Sequence, residues 1–100
     1  MPHYAAQRPF PEYSYVPGKF PHPTRDPQGH SYGHDPFEST PLTPEHWRNC
    51  ETYLWGIDLF NHGFYWEAHE TWEAVWISVG RRGSVADFLK ALIKVAAALR

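Results

Sequence analysis

The sequence has one cysteine, no proline beyond residue 44 and no long apolar run. A lone Cys50 excludes an intrachain disulfide and any zinc site built on two or four thiolates of one chain. No apolar stretch approaches the ~20 residues that a membrane-spanning helix needs. Charged residues are 20% of the 100 residues and the formal net charge is −2, so no cationic surplus argues for nucleic acid or an anionic bilayer. Met1-Pro2-His3-Tyr4 has no basic stretch followed by an apolar one, so a secretory signal is not expected and the cytoplasm is the expected compartment. A Gly-rich phosphate loop, a dinucleotide fingerprint and a serine nucleophile elbow are all missing. The length has room for one small domain.

What is present is an aromatic content of 17%, with five tryptophans, beside ten prolines. All the prolines lie between Pro2 and Pro44. Each removes an amide donor and restricts its predecessor, so residues 1–44 read as an extended arm rather than a helix. The arm carries Tyr4, Phe10, Tyr13, Tyr15, Phe20, Tyr32 and Phe37. Proline-rich tails that stay disordered are poor in such rings. The spacing therefore predicts an arm that wraps a folded body, its own or a partner's, against the alternative of a loose terminus.

Residues 45–100 read as three helices. Thr43-Pro44-Glu45 is a start signal, with a capping hydroxyl, a proline at the first helical position and then an acid. Trp47, Cys50, Leu54, Ile57 and Phe60 recur at spacings of three and four, and Asn61-His62-Gly63 marks the stop. A second helix runs from about Tyr65 to Val79, with Tyr65, Ala68, Trp72, Val75, Trp76 and Val79 on one face. Gly80-Arg81-Arg82-Gly83 breaks it. Ser84 is expected to cap the third helix together with Asp87. That helix, Phe88 to Leu99, is apolar nearly all round, with a polar strip of Asp87, Lys90 and Lys94, and so needs cover on most sides. It ends without a stop signal. The expectation is a chain cut short, or cover from another subunit or from the arm.

One constellation bears on chemistry. At 100° per residue, His69 lies about 60° from the centre of the second helix's apolar face and Glu73 about 40° beyond it. Trp76 flanks them on one side, Trp66 and Ile77 on the other. Ionisable groups between apolar walls must pair, hydrogen-bond or hold something. His69-Glu70-Thr71-Trp72-Glu73 follows the zinc-protease pattern H-E-x-x-H with glutamate as second ligand. On that reading His69 and Glu73 hold zinc, manganese or iron, and Glu70 activates a water. A third ligand is required, from Asp58, His62 or the arm histidines His22, His30 and His34. On the other reading His69 and Glu73 pair with each other, or with Lys90 or Lys94, and orient the bundle. Glu67, Glu70 and Asp58 read as a solvated acidic face. Trp55 and Trp66 are candidates to line a groove, Cys50 to be a buried small hydrophobe, and Arg81 and Arg82 to be solvated or to clamp an anion.

The segment Asp58-Leu59-Phe60-Asn61-His62-Gly63-Phe64-Tyr65-Trp66-Glu67-Ala68-His69-Glu70-Thr71-Trp72-Glu73-Ala74-Val75-Trp76, followed by Phe88 to Ala98, resembles the bacterial and archaeal domain of unknown function 309 family. The shared pattern is F-N-x-G-x-Y-x-E-A-H-E-x-x-E-x-x-W, then F-L-x-x-L-I-x-x-A-A-A, over about residues 54–100. The resemblance implies a small all-helical domain with at least one further helix beyond Arg100. It places the signature on Asn61, Gly63, Tyr65, Glu67, Ala68, His69, Glu70, Glu73 and Trp76. The family carries the label of a metal-dependent hydrolase and no established activity. Lys90 and Ala91 stand where many relatives have glutamine and glycine, and a lysine there favours an ion pair over a metal.

The combined expectation is an all-α antiparallel array of three helices, 45–100, with an extended arm, 1–44. Its function is either metal binding with hydrolytic potential or non-enzymatic binding and assembly. The expected partners are a second copy or another protein over the third helix, and neither nucleic acid nor membrane.

Overall fold

The computed structural model describes residues 4, 8–11, 13–15, 19–20, 23, 25, 27–29, 39 and 41–99. A 3-10 turn at Trp47–Asn49 precedes three helices, α1 (Glu51–Asn61), α2 (Tyr65–Ser78) and α3 (Ser84–Leu99). The described residues contain no strand, and the fold is all-α as expected.

The first helix starts later than Thr43-Pro44-Glu45 suggests. Thr43 does cap, but it caps a turn: its carbonyl and its hydroxyl both accept the His46 amide at 3.2 Å. Cys50 then adopts extended backbone (φ −88°, ψ 90°), which breaks the helical period between Trp47 and Leu54. Cys50 is buried, whereas Trp47 is 40% exposed with the Arg48 guanidinium 4.9 Å over its ring, so Trp47 is not core.

Both helix stops are of one kind. After α1, Gly63 takes φ +85°, its amide donates to Phe60 (3.1 Å), and the Phe64 amide donates to Leu59 (2.8 Å). After α2, Gly80 (φ +81°) donates to Ile77 at 3.0 Å and Arg81 to Trp76 at 3.2 Å. Ser84 is already helical. The Asp87 amide donates to Gly83 at 3.0 Å, so Gly83 stands where Ser84 was expected to cap.

The middle helix is the central one. α1 and α3 each pack on α2 and have at most a marginal contact with each other. Leu59, Val75 and Leu89 are fully buried between the layers. The α1–α2 seam depends on one close approach. The Trp72 indole lies against Gly56, where a Cβ would sit 2.1 Å from Nε1, and Nε1–H donates to the Tyr53 carbonyl at 3.2 Å. Only hydrogen fits between ring and backbone there.

α3 is less covered than its composition demands. Ala86, Leu89 and Ala96 are buried on α2, but Phe88, Val95 and Leu99 are each about half exposed. No described helix is long and apolar enough to cross a membrane.

Gly56→Ala is a direct test of the α1–α2 seam. Helix propensity alone favours alanine by about 0.5–1 kcal/mol. Overpacking against a fixed indole costs about 1–3 kcal/mol. The variant should therefore melt lower, by roughly 4–8 °C per kcal/mol of net loss, in thermal unfolding followed by circular dichroism. A higher melting temperature would mean that the indole is free to move away.

Candidate functional site

His69 and Glu73 stand one turn apart on α2, and they meet. His69 Nε2 lies 2.8 Å from Glu73 Oε1, with the side chains 15% and 42% exposed. Nε2–H donates and the carboxylate accepts. The other ring nitrogen, Nδ1, is buried without a hydrogen-bond partner among protein groups. Of the two pairings open to the histidine, the one with Glu73 forms. Lys90 and Lys94 are exposed and make no ion pair among the described residues.

This geometry fits a metal poorly. A metal-bound imidazole almost always donates its second N–H to a carboxylate, a carbonyl or a water, and His69 Nδ1 has no such protein partner. Among the described residues no three His, Cys, Asp or Glu side chains gather closely enough to share an ion. Glu70 is half-buried on the same helix. Asp58 and His62, two of the candidate third ligands, are engaged elsewhere. His22, His30 and His34 lie outside the described residues.

Asp58 and Glu67 are the main departure from expectation. They read as solvated acids, yet Asp58 is fully buried and Glu67 nearly so. Each buried carboxylate accepts hydrogen bonds from the arm. The Tyr4 amide donates to Asp58 Oδ1 at 2.6 Å. The Ser14 hydroxyl donates to Glu67 Oε1 and the Tyr15 amide to Glu67 Oε2, both at 2.9 Å. Arg8 Nε adds an exposed contact of 2.8 Å to Glu51.

Between these clamps the arm inserts a ring. Phe10 stacks on Trp55 and Phe64, with centroids 5.3 and 5.4 Å apart, and tilts against His62 at 4.5 Å. His62, the residue that caps α1, is held by that helix, Nδ1–H donating to the Asp58 carbonyl at 2.9 Å. Tyr15 meets Trp66 edge-on at 5.2 Å. Trp55 and Trp66, the two candidate groove residues, each meet a ring of the arm. A signal was present in the sequence. Glu51, Trp55, Asp58 and His62 are spaced four, three and four apart, one helical stripe that mixes acid with aromatic.

The opposite side of α1 borders two open apolar depressions. One, of about 240 Å³, lies between α1 and α3 and is lined by Tyr53, Ile57, Phe60, Trp72, Leu92 and Val95. The other, of about 450 Å³, is bounded by Pro44, Trp47, Tyr53, Val85 and Phe88. Tyr53 borders both. Burial raises its phenol above the usual 10.0, and the nearby Cys50 adds to the shift. Arg81 sits 5.8 Å over Trp76, and Cys50 is buried with Sγ 3.7 Å from the Ser39 hydroxyl.

The raised Tyr53 pKa has a signed consequence. In the unfolded chain the phenol ionises near 10.0, whereas folded it stays protonated to higher pH. Its contribution is intact below that value and is lost as pH rises through the folded pKa. Denaturant unfolding at about pH 9 and about pH 11 should show a larger alkaline loss for the wild type than for Tyr53→Phe. Equal losses would mean that the phenol is not shielded.

No match exists among curated proteins or solved structures. Residues 53–100, which hold most of α1 and all of α2 and α3, match the family described as Domain of unknown function (DUF309).

Proposed function

We propose that this domain is a non-enzymatic assembly module whose partner is a second copy, paired through the open face of α3. The observation that carries the reading is the seam on that helix. Phe88, Leu92, Val95 and Leu99 are spaced four, three and four apart, within about 60° of one another. That is the spacing by which helices interlock side by side. Three of the four side chains are about half exposed, and the seam continues into the depression beside Tyr53, Ile57 and Phe60. A second α3 brings an identical stripe, so the contact is self-complementary about a two-fold axis.

The alternative keeps His69 and Glu73 as metal ligands and Glu70 as base. Its support is the H-E-x-x-E string and the short His69–Glu73 distance. The described residues offer it no third donor and no partner for Nδ1. The pair serves better as a polar contact that fixes one face of α2.

Two measurements separate these readings. Light scattering coupled to size exclusion should give a dimer for the wild type and a monomer for Val95→Asp. That substitution replaces a half-exposed side chain and should cost the single fold little. A wild-type monomer at high concentration would overturn the assembly reading. Elemental analysis of purified protein should find no stoichiometric zinc, manganese or iron, and chelation should leave the melting temperature unchanged. Bound metal released by His69→Ala would instead establish the metal site.

A further inference from the structure

The arm's seat on the helices has the form of a peptide-binding site. Glu51, Trp55 and Asp58 fall within about 60° on α1, His62 follows at its C-cap, and all four touch the arm. Tyr53, Ile57 and Phe60 lie on the opposite side of the same helix. The strip continues over Phe64 onto Trp66 and Glu67 of α2. It therefore shares no residue with the α3 seam.

The groups that the strip recognises are simple. They are two backbone amides (Tyr4 and Tyr15), one hydroxyl (Ser14), one guanidinium (Arg8) and one ring in a slot (Phe10). The described arm residues form no helix or strand, and the arm presents these groups from turns, bends and irregular chain. None of the contacts requires that arm and helices belong to one molecule. The arm supplies part of what the buried carboxylates accept: Tyr4 gives one N–H to Asp58, and Ser14 and Tyr15 give one donor to each oxygen of Glu67. Each hydrogen bond lost at a buried carboxylate is costly, so the strip favours being filled.

We propose that the strip on α1 and α2 is a receptor for an aromatic-bearing peptide segment, and that the arm of a second copy binds it in trans by displacing the resident arm. Every copy carries both receptor and ligand, so exchange needs no contact beyond those already formed. The resident arm holds the site through its high effective concentration, and weakening it opens the strip to the incoming one.

The test uses the full chain and a fluorescent peptide of residues 1–15, with binding read by anisotropy. Phe10→Ala in the chain vacates the slot without altering the strip. That variant should bind the peptide at least about tenfold more tightly than wild type does. Glu67→Gln added to the same chain should weaken binding again, because an amide group offers only one acceptor oxygen where two are used. A peptide that itself carries the Phe10→Ala substitution should bind poorly to either chain. If Phe10→Ala lowers the helical signal of the chain, saturating native peptide should restore it. A folded Phe10→Ala chain that ignores the peptide would overturn the proposal. So would an unfolded one that the peptide does not rescue, or equal binding of the native and the substituted peptides. Val95→Asp should leave peptide binding unchanged, which separates this outcome from that of the α3 seam.

Discussion

The contact between the Trp72 indole and the bare backbone of Gly56 governs the arrangement of everything else. It lets α1 and α2 approach within the thickness of one ring, and the Nε1–H bond to the Tyr53 carbonyl fixes the ring's rotation. With that seam set, the two remaining sides of α1 take different roles. One carries the acid-aromatic stripe beneath the arm. The other carries Tyr53, Ile57 and Phe60 beside α3. A shift in this packing would move both surfaces together.

The two buried carboxylates show how a small helical core accommodates charge. A carboxylate taken out of water needs donors that replace its hydration. Asp58 and Glu67 find some of theirs in the arm's backbone amides and in a serine hydroxyl. Proline-rich chain outside helix and sheet suits this role because its amides are not engaged in a ladder of its own. The aromatic rings supply apolar cover and the carboxylates set the register. His69 follows a different rule: one nitrogen is satisfied by Glu73 and the other is left without a protein partner.

The helix stops were legible because Gly63 and Gly80 take left-handed backbone that other residues resist. The 3.6-residue period found α2 and α3 to within a residue or two. The start of α1 was not legible. Thr43-Pro44 carries the same chemistry whether it opens a helix or a turn, and the extended conformation of Cys50 decided between them. The meeting of His69 with Glu73 followed from their spacing. The burial of Asp58 and Glu67 did not, because an acid on an outer helix face reads as solvated until a second segment is laid over it.

Periodicity, turn chemistry and proline placement thus fixed the local elements, since these depend on backbone preferences within a few residues. Which face of each helix meets which neighbour was decided by tertiary structure alone. Contacts such as Tyr4 with Asp58 or Phe10 with Trp55 join residues more than forty positions apart, and no local preference encodes them. The most apolar helix, α3, proved the clearest case. Its composition demanded cover, yet only the packing on α2 determined that Phe88, Val95 and Leu99 would be left facing outward.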